Sequence, residues 1–257
     1  MLKKLALLFV LCSLASPALA HDYWAQFQGI PAEGQKAEVL FGYGHNFPVG
    51  ETIEAATFAE RFLPPKVVGP SGNLKLDPGS QPWLFITADT LKAGTYVVLT
   101  ESKESFSSRT SGGYARQSKK EATGVISCSY GASFGKEIVT LGPTKGKNYA
   151  KAYGQKLEIV PQIDPAALKV GVPFPIQVLY EGKALPGAEV VAYFAGFTPE
   201  NTAYAFSSRS NKEGKVEVIP LATGEWLVKA SYRGPYSDTT VCDNLSYNAS
   251  LKFKVLQ

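Results

Sequence analysis

The sequence predicts a mainly β protein, with an N-terminal β-rich domain over residues 21–150 followed by an immunoglobulin-like β-sandwich over residues 151–257. In the second segment, about seven short runs rich in β-branched and aromatic residues alternate with turn signals such as the one at 211–214. In the first segment, period-two alternation starts at Asp22 and recurs up to Thr100. A stretch rich in Lys, Gly and Pro, 142–154, separates the two.

The first 20 residues have the organisation of a secretory signal peptide. Lys3 and Lys4 precede an apolar run from 5 to 15, and the small residues Ala18 and Ala20 mark a cleavage site. We therefore expect export to the periplasm and a mature chain that begins at His21.

Cleavage after Ala20 would create a metal chelate, because the new α-amine and the imidazole belong to the same residue, His21. The chain has only two histidines. The other, His45, follows a second predicted strand at 36–43, which a short turn at 31–34 joins to the first strand at 22–29. Such strands pair antiparallel, so the start of the first and the end of the second lie together. The sequence therefore predicts that His21 and His45 are neighbours.

A carboxylate from Asp22 or Glu51 is expected to complete the metal site. The signal is not specific, since it lacks the spacing of paired cysteines or of two histidines on one helix. In the alternative interpretation, His21 is a solvated first residue and His45 is a turn residue between Gly44 and Asn46.

Composition narrows the function classes. The chain of 257 residues is 45% hydrophobic and 12% aromatic, as expected for a protein with a substantial core. Its formal net charge of +4 is not clustered on one segment, which argues against nucleic-acid binding. No apolar run after the signal reaches the roughly 20 residues that span a bilayer, so we expect a protein that does not span the membrane.

Two of the three cysteines, Cys128 and Cys242, remain after removal of the signal. In an oxidising compartment they are expected to form one disulfide, although a role as soft metal ligands is the alternative.

Other segments gave coarser predictions. Residues 101–120 are expected to form an exposed hairpin or a mobile loop. Part of 121–139 is expected to be helical, because Val125, Cys128, Ala132 and Phe134 can share one helix face. Trp226 is expected in the core. No serine, histidine and aspartate arrangement of a hydrolase and no phosphate-binding glycine loop is identified, so binding is favoured over catalysis and the protein is not expected to be an enzyme.

Several stretches resemble a known family. They are His21, Asp22 and Trp24, the pair Gly44 and His45, the strand at 94–96, and above all the segments 156–161 and 179–190. They are similar to periplasmic proteins of cobalt and nickel uptake systems, many of which are otherwise described as a domain of unknown function. The resemblance implies a protein that binds nickel or cobalt and works beside an inner-membrane metal transporter, with His21 and His45 as ligands.

Two other functions remain open from the sequence. Imidazole and amine nitrogens also suit copper and zinc, and an N-terminal histidine with a second histidine resembles the copper site of oxidative polysaccharide-cleaving enzymes. A structural or adhesion β-sandwich without metal is the third possibility.

Overall fold

The computed structural model describes residues 21–143, 146–198 and 203–256, which form a mainly β structure. The first half contains strands β1 to β11: Asp22–Phe27, Glu38–Gly44, Lys66–Gly69, Gly72–Leu74, Leu76–Pro78, Leu84–Thr87, Gly94–Glu101, Ser105–Thr110, Gly113–Ala115, Val125–Gly131 and Ser133–Leu141. The second half contains β12 to β19: Leu157–Pro161, Phe174–Tyr180, Lys183–Ala184, Glu189–Phe194, Phe206–Arg209, Lys215–Val218, Gly224–Pro235 and Asn244–Val255. One α-helix, α1 (Ala55–Arg61), and two short 3-10 helices, Asn148–Ala150 and Pro165–Ala167, complete the described elements.

The strands form three sheets. A four-stranded sheet has the order β1-β2-β6-β5. The largest sheet has 11 strands and follows the path β16-β15-β18-β19-β11-β7-β3-β4, with β10, β8 and β9 as a branch from β19. In the third sheet, β13 pairs with β12, β14 and β17.

The C-terminal segment is a β-sandwich, as predicted. The third sheet covers the strands β15, β18 and β19, and between them lies the main apolar cluster. Trp226 is fully buried there, which confirms its prediction as a core residue. Alternation explains the packing, because successive side chains of a strand point to opposite faces and the inward set is apolar.

The large sheet continues across the predicted boundary at residue 150. Strand β11 pairs in parallel with β19, from Ser133 opposite Asn248 to Glu137 opposite Lys252. The segments 21–150 and 151–257 therefore share one hydrogen-bonded sheet.

The helix predicted within 121–139 is wrong, because this stretch forms strands β10 and β11. Two charged residues interrupt the apolar pattern that would identify β11 as a buried strand. Lys136 and Glu137 are both buried, on opposite faces of β11, where they pair with Glu158 and Lys252 respectively. A buried strand whose central positions are charged lacks the apolar run that normally identifies it.

The segment 101–120 contains the hairpin of β8 and β9, in agreement with the first of the two predicted alternatives. Cys128 and Cys242 form a disulfide, with Cα atoms 5.0 Å apart, as predicted. Within the described ranges, no helix is long and apolar enough to cross a membrane.

The β1–β2 hairpin is held against the large sheet. The backbone N–H of Phe27 donates to Glu137, and the Ser250 hydroxyl donates to the carbonyl of Tyr23 at 2.6 Å. Close approach needs glycine at Gly135, where a Cβ would lie 2.8 Å from the backbone nitrogen of Ala25. The hairpin is therefore positioned by both halves of the chain.

Candidate metal centre

The β1–β2 hairpin brings the two histidines together. The strands pair antiparallel with Asp22 opposite Gly44, so His21 and His45 are the next residues beyond the last pair. Their ring centroids are 3.9 Å apart. This arrangement confirms the hairpin and the predicted proximity of the two side chains.

Glu51 lies between the two imidazoles. One carboxylate oxygen is 2.8 Å from His45 Nδ1 and accepts the His45 backbone N–H at 3.0 Å. The other is 3.2 Å from His21 Nε2. One ligand atom from each of these three residues can be chosen so that all lie within 4.8 Å of one another.

The loop after β2 fixes the position of Glu51. Its backbone N–H donates to the carbonyl of Tyr43 at 2.7 Å, which closes the loop back onto the strand. Gly44 has a φ of 154°, and a Cβ there would lie 3.1 Å from Glu51 Cγ. Glycine therefore leaves room for the Glu51 side chain at the end of β2.

An aromatic side chain orients His21. Its ring stacks on that of Tyr43, with centroids 4.1 Å apart and an interplanar angle of 6°. The side chains of His21, His45 and Glu51 nevertheless keep 32%, 28% and 44% of their surface exposed. The three residues thus form an ordered cluster that an ion can enter from solvent.

The protonation states suit metal binding. Partial burial lowers the pKa of His21, and the nearby His45 lowers it further, against the opposing effect of Glu51. For Glu51, desolvation acts to raise the pKa, but the hydrogen bonds to His45 outweigh it and the pKa lies below its usual value. A neutral imidazole and an ionised carboxylate are the forms that coordinate metals.

Asp22 does not belong to this cluster, which corrects its prediction as a candidate ligand. Its buried carboxylate pairs with Lys229 and accepts the hydroxyl of Tyr193. The reason is the alternation of β1, since adjacent side chains of a strand point to opposite faces. The same alternation was visible in the sequence and places Asp22 on the face opposite His21.

The predicted signal peptide, 1–20, lies outside the described residues, so the α-amine of His21 stays a prediction. The side-chain cluster and a chelate that includes the α-amine would use different ring nitrogens of His21. The side-chain cluster presents Nε2 of His21 to Glu51, whereas a chelate with the α-amine needs Nδ1, the ring nitrogen nearer the backbone.

A cavity of about 620 Å³ opens beside the cluster, with His21 and Tyr43 in its wall. Four cationic side chains also line it: Arg61, Arg116, Lys229 and Arg233. Sequence analysis missed Arg61, which is the last residue of α1 and carries no local motif. Only the folded hairpin brings it next to Tyr43, with its guanidinium carbon 5.7 Å from the ring centroid.

The fold and this cluster define a class: a mainly β protein with two histidines and one carboxylate converging at the end of a hairpin. The donor types fit nickel, cobalt, copper or zinc. The chain belongs to the family described as "Domain of unknown function (DUF4198)", which matches residues 18–234.

No curated protein matches the chain. Among solved structures, the D0-D1 domain of Intimin is similar at 15% identity, covering 90% of this chain and 97% of that one, with a TM-score of 0.22. The D00-D0 domain of Intimin is similar at 9% identity, covering 92% and 100%, with a TM-score of 0.22. TM-scores this low do not define a shared fold, so the architecture rests on the strand pairing itself.

Proposed function

We propose that this protein binds a divalent transition metal in the periplasm and delivers nickel or cobalt to an inner-membrane transporter. The observation that carries the proposal is the convergence of His21, His45 and Glu51, the only two histidines of the chain among them. Each imidazole contacts one oxygen of the Glu51 carboxylate, whose side chain keeps 44% of its surface exposed.

The affinity for metal should depend on all three side chains. In the metal-free protein, the Glu51 carboxylate contacts both rings. A bound cation would replace ring protons in this arrangement, and binding should therefore release protons and compete with them. The exposure of the cluster favours exchange, which a delivery protein requires.

The test is calorimetric titration of untagged protein beginning at His21 with nickel, cobalt, copper and zinc. His45→Ala should weaken nickel binding by about a hundredfold, and Glu51→Gln by roughly 10 to 100-fold. Glu54→Gln is the matched control, because Glu54 is an exposed glutamate nearby with no ion pair among the described residues. Nickel affinity that is equal in the wild type and in His45→Ala would refute the proposal.

A second variant tests the contribution of the N-terminus. An added glycine before His21 converts its α-amine into an amide, whose nitrogen cannot coordinate unless the metal displaces its proton. If the chelate forms, this extension should weaken binding nearly as much as His45→Ala. Unchanged affinity in the extended protein would mean that His21 binds through its ring alone.

The delivery role rests on the family resemblance and needs a cellular readout. Deletion of the gene should lower the uptake of radioactive nickel or cobalt, and the His45→Ala form should fail to restore it. Normal uptake in the deletion strain would refute the delivery role but not the proposed metal binding.

Copper is the competing cargo, because two imidazoles favour Cu(II) over nickel in the general order of affinities. Deletion of the gene distinguishes the two cargoes: a loss of nickel or cobalt uptake with unchanged copper resistance would favour nickel or cobalt over copper. A copper enzyme would in addition consume a reductant in the presence of oxygen, which the loaded protein should not do under the proposed role.

A further inference from the structure

The cavity beside the metal cluster has the size and the polarity of a small-molecule site. Its volume of about 620 Å³ falls within the range of roughly 300–1,000 Å³ that is usual for such sites. Its wall contains many hydroxyl and amide donors from both halves of the chain: Ser102, Ser105, Ser107, Ser129, Ser246 and Asn248. His21 and Tyr43 also line the cavity, so a ligand in it adjoins the metal cluster.

The charges in the wall are predominantly positive. Asp22 and Glu189 are its only carboxylates within the described residues, and Asp22 is already paired with Lys229. Arg233 contacts the hydroxyl of Ser246 rather than an acid. Arg116 reaches Glu60 only at 3.6 Å.

Arg61 is the cation best placed to bind a ligand. Among the described residues, no carboxylate lies within ion-pair distance of it, and its Nε atom is buried without a hydrogen-bond partner. One terminal nitrogen donates weakly to the Tyr23 hydroxyl at 3.3 Å. Its guanidinium also lies 5.4 Å from the centroid of Phe62. A guanidinium in this setting gains from an anionic partner, with which it can form paired hydrogen bonds.

We infer that the cavity binds the metal as an anionic chelate, a small polycarboxylate or aminocarboxylate whose carboxylates contact Arg61 and Arg116. This inference rests on the proposed metal binding and names the form in which the cargo arrives. The chelator occupies the cavity and part of the coordination shell, while His21 and His45 supply protein ligands at its edge. A simple anion such as phosphate would fill only a small part of the cavity and would have no reason to adjoin two histidines.

The experiment compares two nickel complexes of opposite charge. Nickel nitrilotriacetate is singly negative and nickel tris(2-aminoethyl)amine is doubly positive, yet both chelators are tetradentate and leave two adjacent positions for histidines. The wild-type protein should bind the negative complex at least about tenfold more tightly at low salt, and added salt should reduce the difference.

Substitutions in the cavity wall test whether the cavity causes the preference for the negative complex. Arg61→Gln should remove most of it, and Arg116→Gln, at an exposed position where folding is not at risk, should reduce it. Arg209→Gln is the matched control, because Arg209 is exposed, its guanidinium donates to the carbonyl of Gly187, and it does not line the cavity. Arg209→Gln should leave both the preference and the binding of hydrated nickel unchanged.

The outcomes separate this inference from the proposed function. If the wild type binds neither hydrated nickel nor either complex, both fall. If it binds hydrated nickel but shows no preference between the complexes, only the inference falls. The inference would also be overturned if metal-free nitrilotriacetate bound as tightly as its nickel complex. The cavity would then be an anion site independent of the metal.

Discussion

Removing the disulfide between Cys128 and Cys242 should lower the stability of the protein substantially. Cys128 and Cys242 are separated by 114 positions, and the bond therefore closes a very long loop in the unfolded chain. In the chain-entropy description, a loop of this length restricts the unfolded state by about 5 kcal/mol at 25 °C. Replacing both with alanine should therefore lower the free energy of unfolding by about 3–5 kcal/mol, the upper figure being the entropic one.

The native structure around the bond should survive this change. The Cys128 N–H donates to the Asp243 carboxylate at 2.8 Å, and the Asp243 N–H donates to the Cys128 carbonyl at 3.2 Å. Lys119 pairs with the same carboxylate. These contacts do not involve sulfur, so the loss should appear in the unfolded state and not as a rearranged fold.

Urea denaturation followed by tryptophan fluorescence measures the effect in three samples: the wild type, the reduced wild type and the double-alanine variant. The last two should have similar midpoints, well below that of the oxidised protein. Since domains commonly have only about 5–15 kcal/mol of stability, the variant should remain folded but marginal. A loss below about 1 kcal/mol, with unchanged dependence on urea, would refute the loop-entropy reasoning. Nickel affinity of the folded variant serves as the control and should not change.

Three further predictions concern packing, buried charge and pH. Gly42→Ala should destabilise the protein by about 1–3 kcal/mol, because the new Cβ would lie 2.1 Å from the buried indole of Trp24. In the same urea assay the control Gly112→Ala should be nearly neutral, since the nearest neighbouring atom there is 3.9 Å away. Lys136→Met should cost about 3–5 kcal/mol by leaving the buried Glu158 carboxylate without its cation, and a midpoint equal to that of the wild type would contradict this. NMR titration of the metal-free protein should give His21 a pKa below 6.5. The unfolded chain then binds the proton more readily than the folded chain does, so the free energy of unfolding should fall as the pH drops below 6.5.

The sequence could predict the hairpin and the meeting of the two histidines because both follow from local rules. A short turn between two alternating strands forces antiparallel pairing, and pairing then fixes which residues lie at the same end. His21 and His45 occupy those positions, and their rings are 3.9 Å apart. The disulfide was predictable for a similar reason, since two cysteines in an exported chain leave a single pairing.

The sequence could not predict features that depend on distant segments. Arg61 reaches the site only because α1 packs through Phe58 and Phe62 onto the β1–β2 sheet. Strand β11 was hidden because its buried charges find partners more than 20 positions away, as Lys136 does with Glu158. Local periodicity cannot show that a charge is neutralised by tertiary contact, so the pattern favours a helix where the structure has a central strand.

The alternation of β1 unites the fold and the candidate site. The side chains of His21 and Tyr23 point to the face that carries the metal cluster, while Asp22 and Trp24 point to the opposite face. On that face Asp22 pairs with Lys229, and the indole of Trp24 covers a strand position where only glycine leaves room. Asp22 and Trp24 thus anchor the strand to the C-terminal half, and His21 on the other face contacts Glu51. A one-residue shift of β1 would exchange these faces and remove His21 from Glu51, so the register of this strand is a condition for the proposed metal binding.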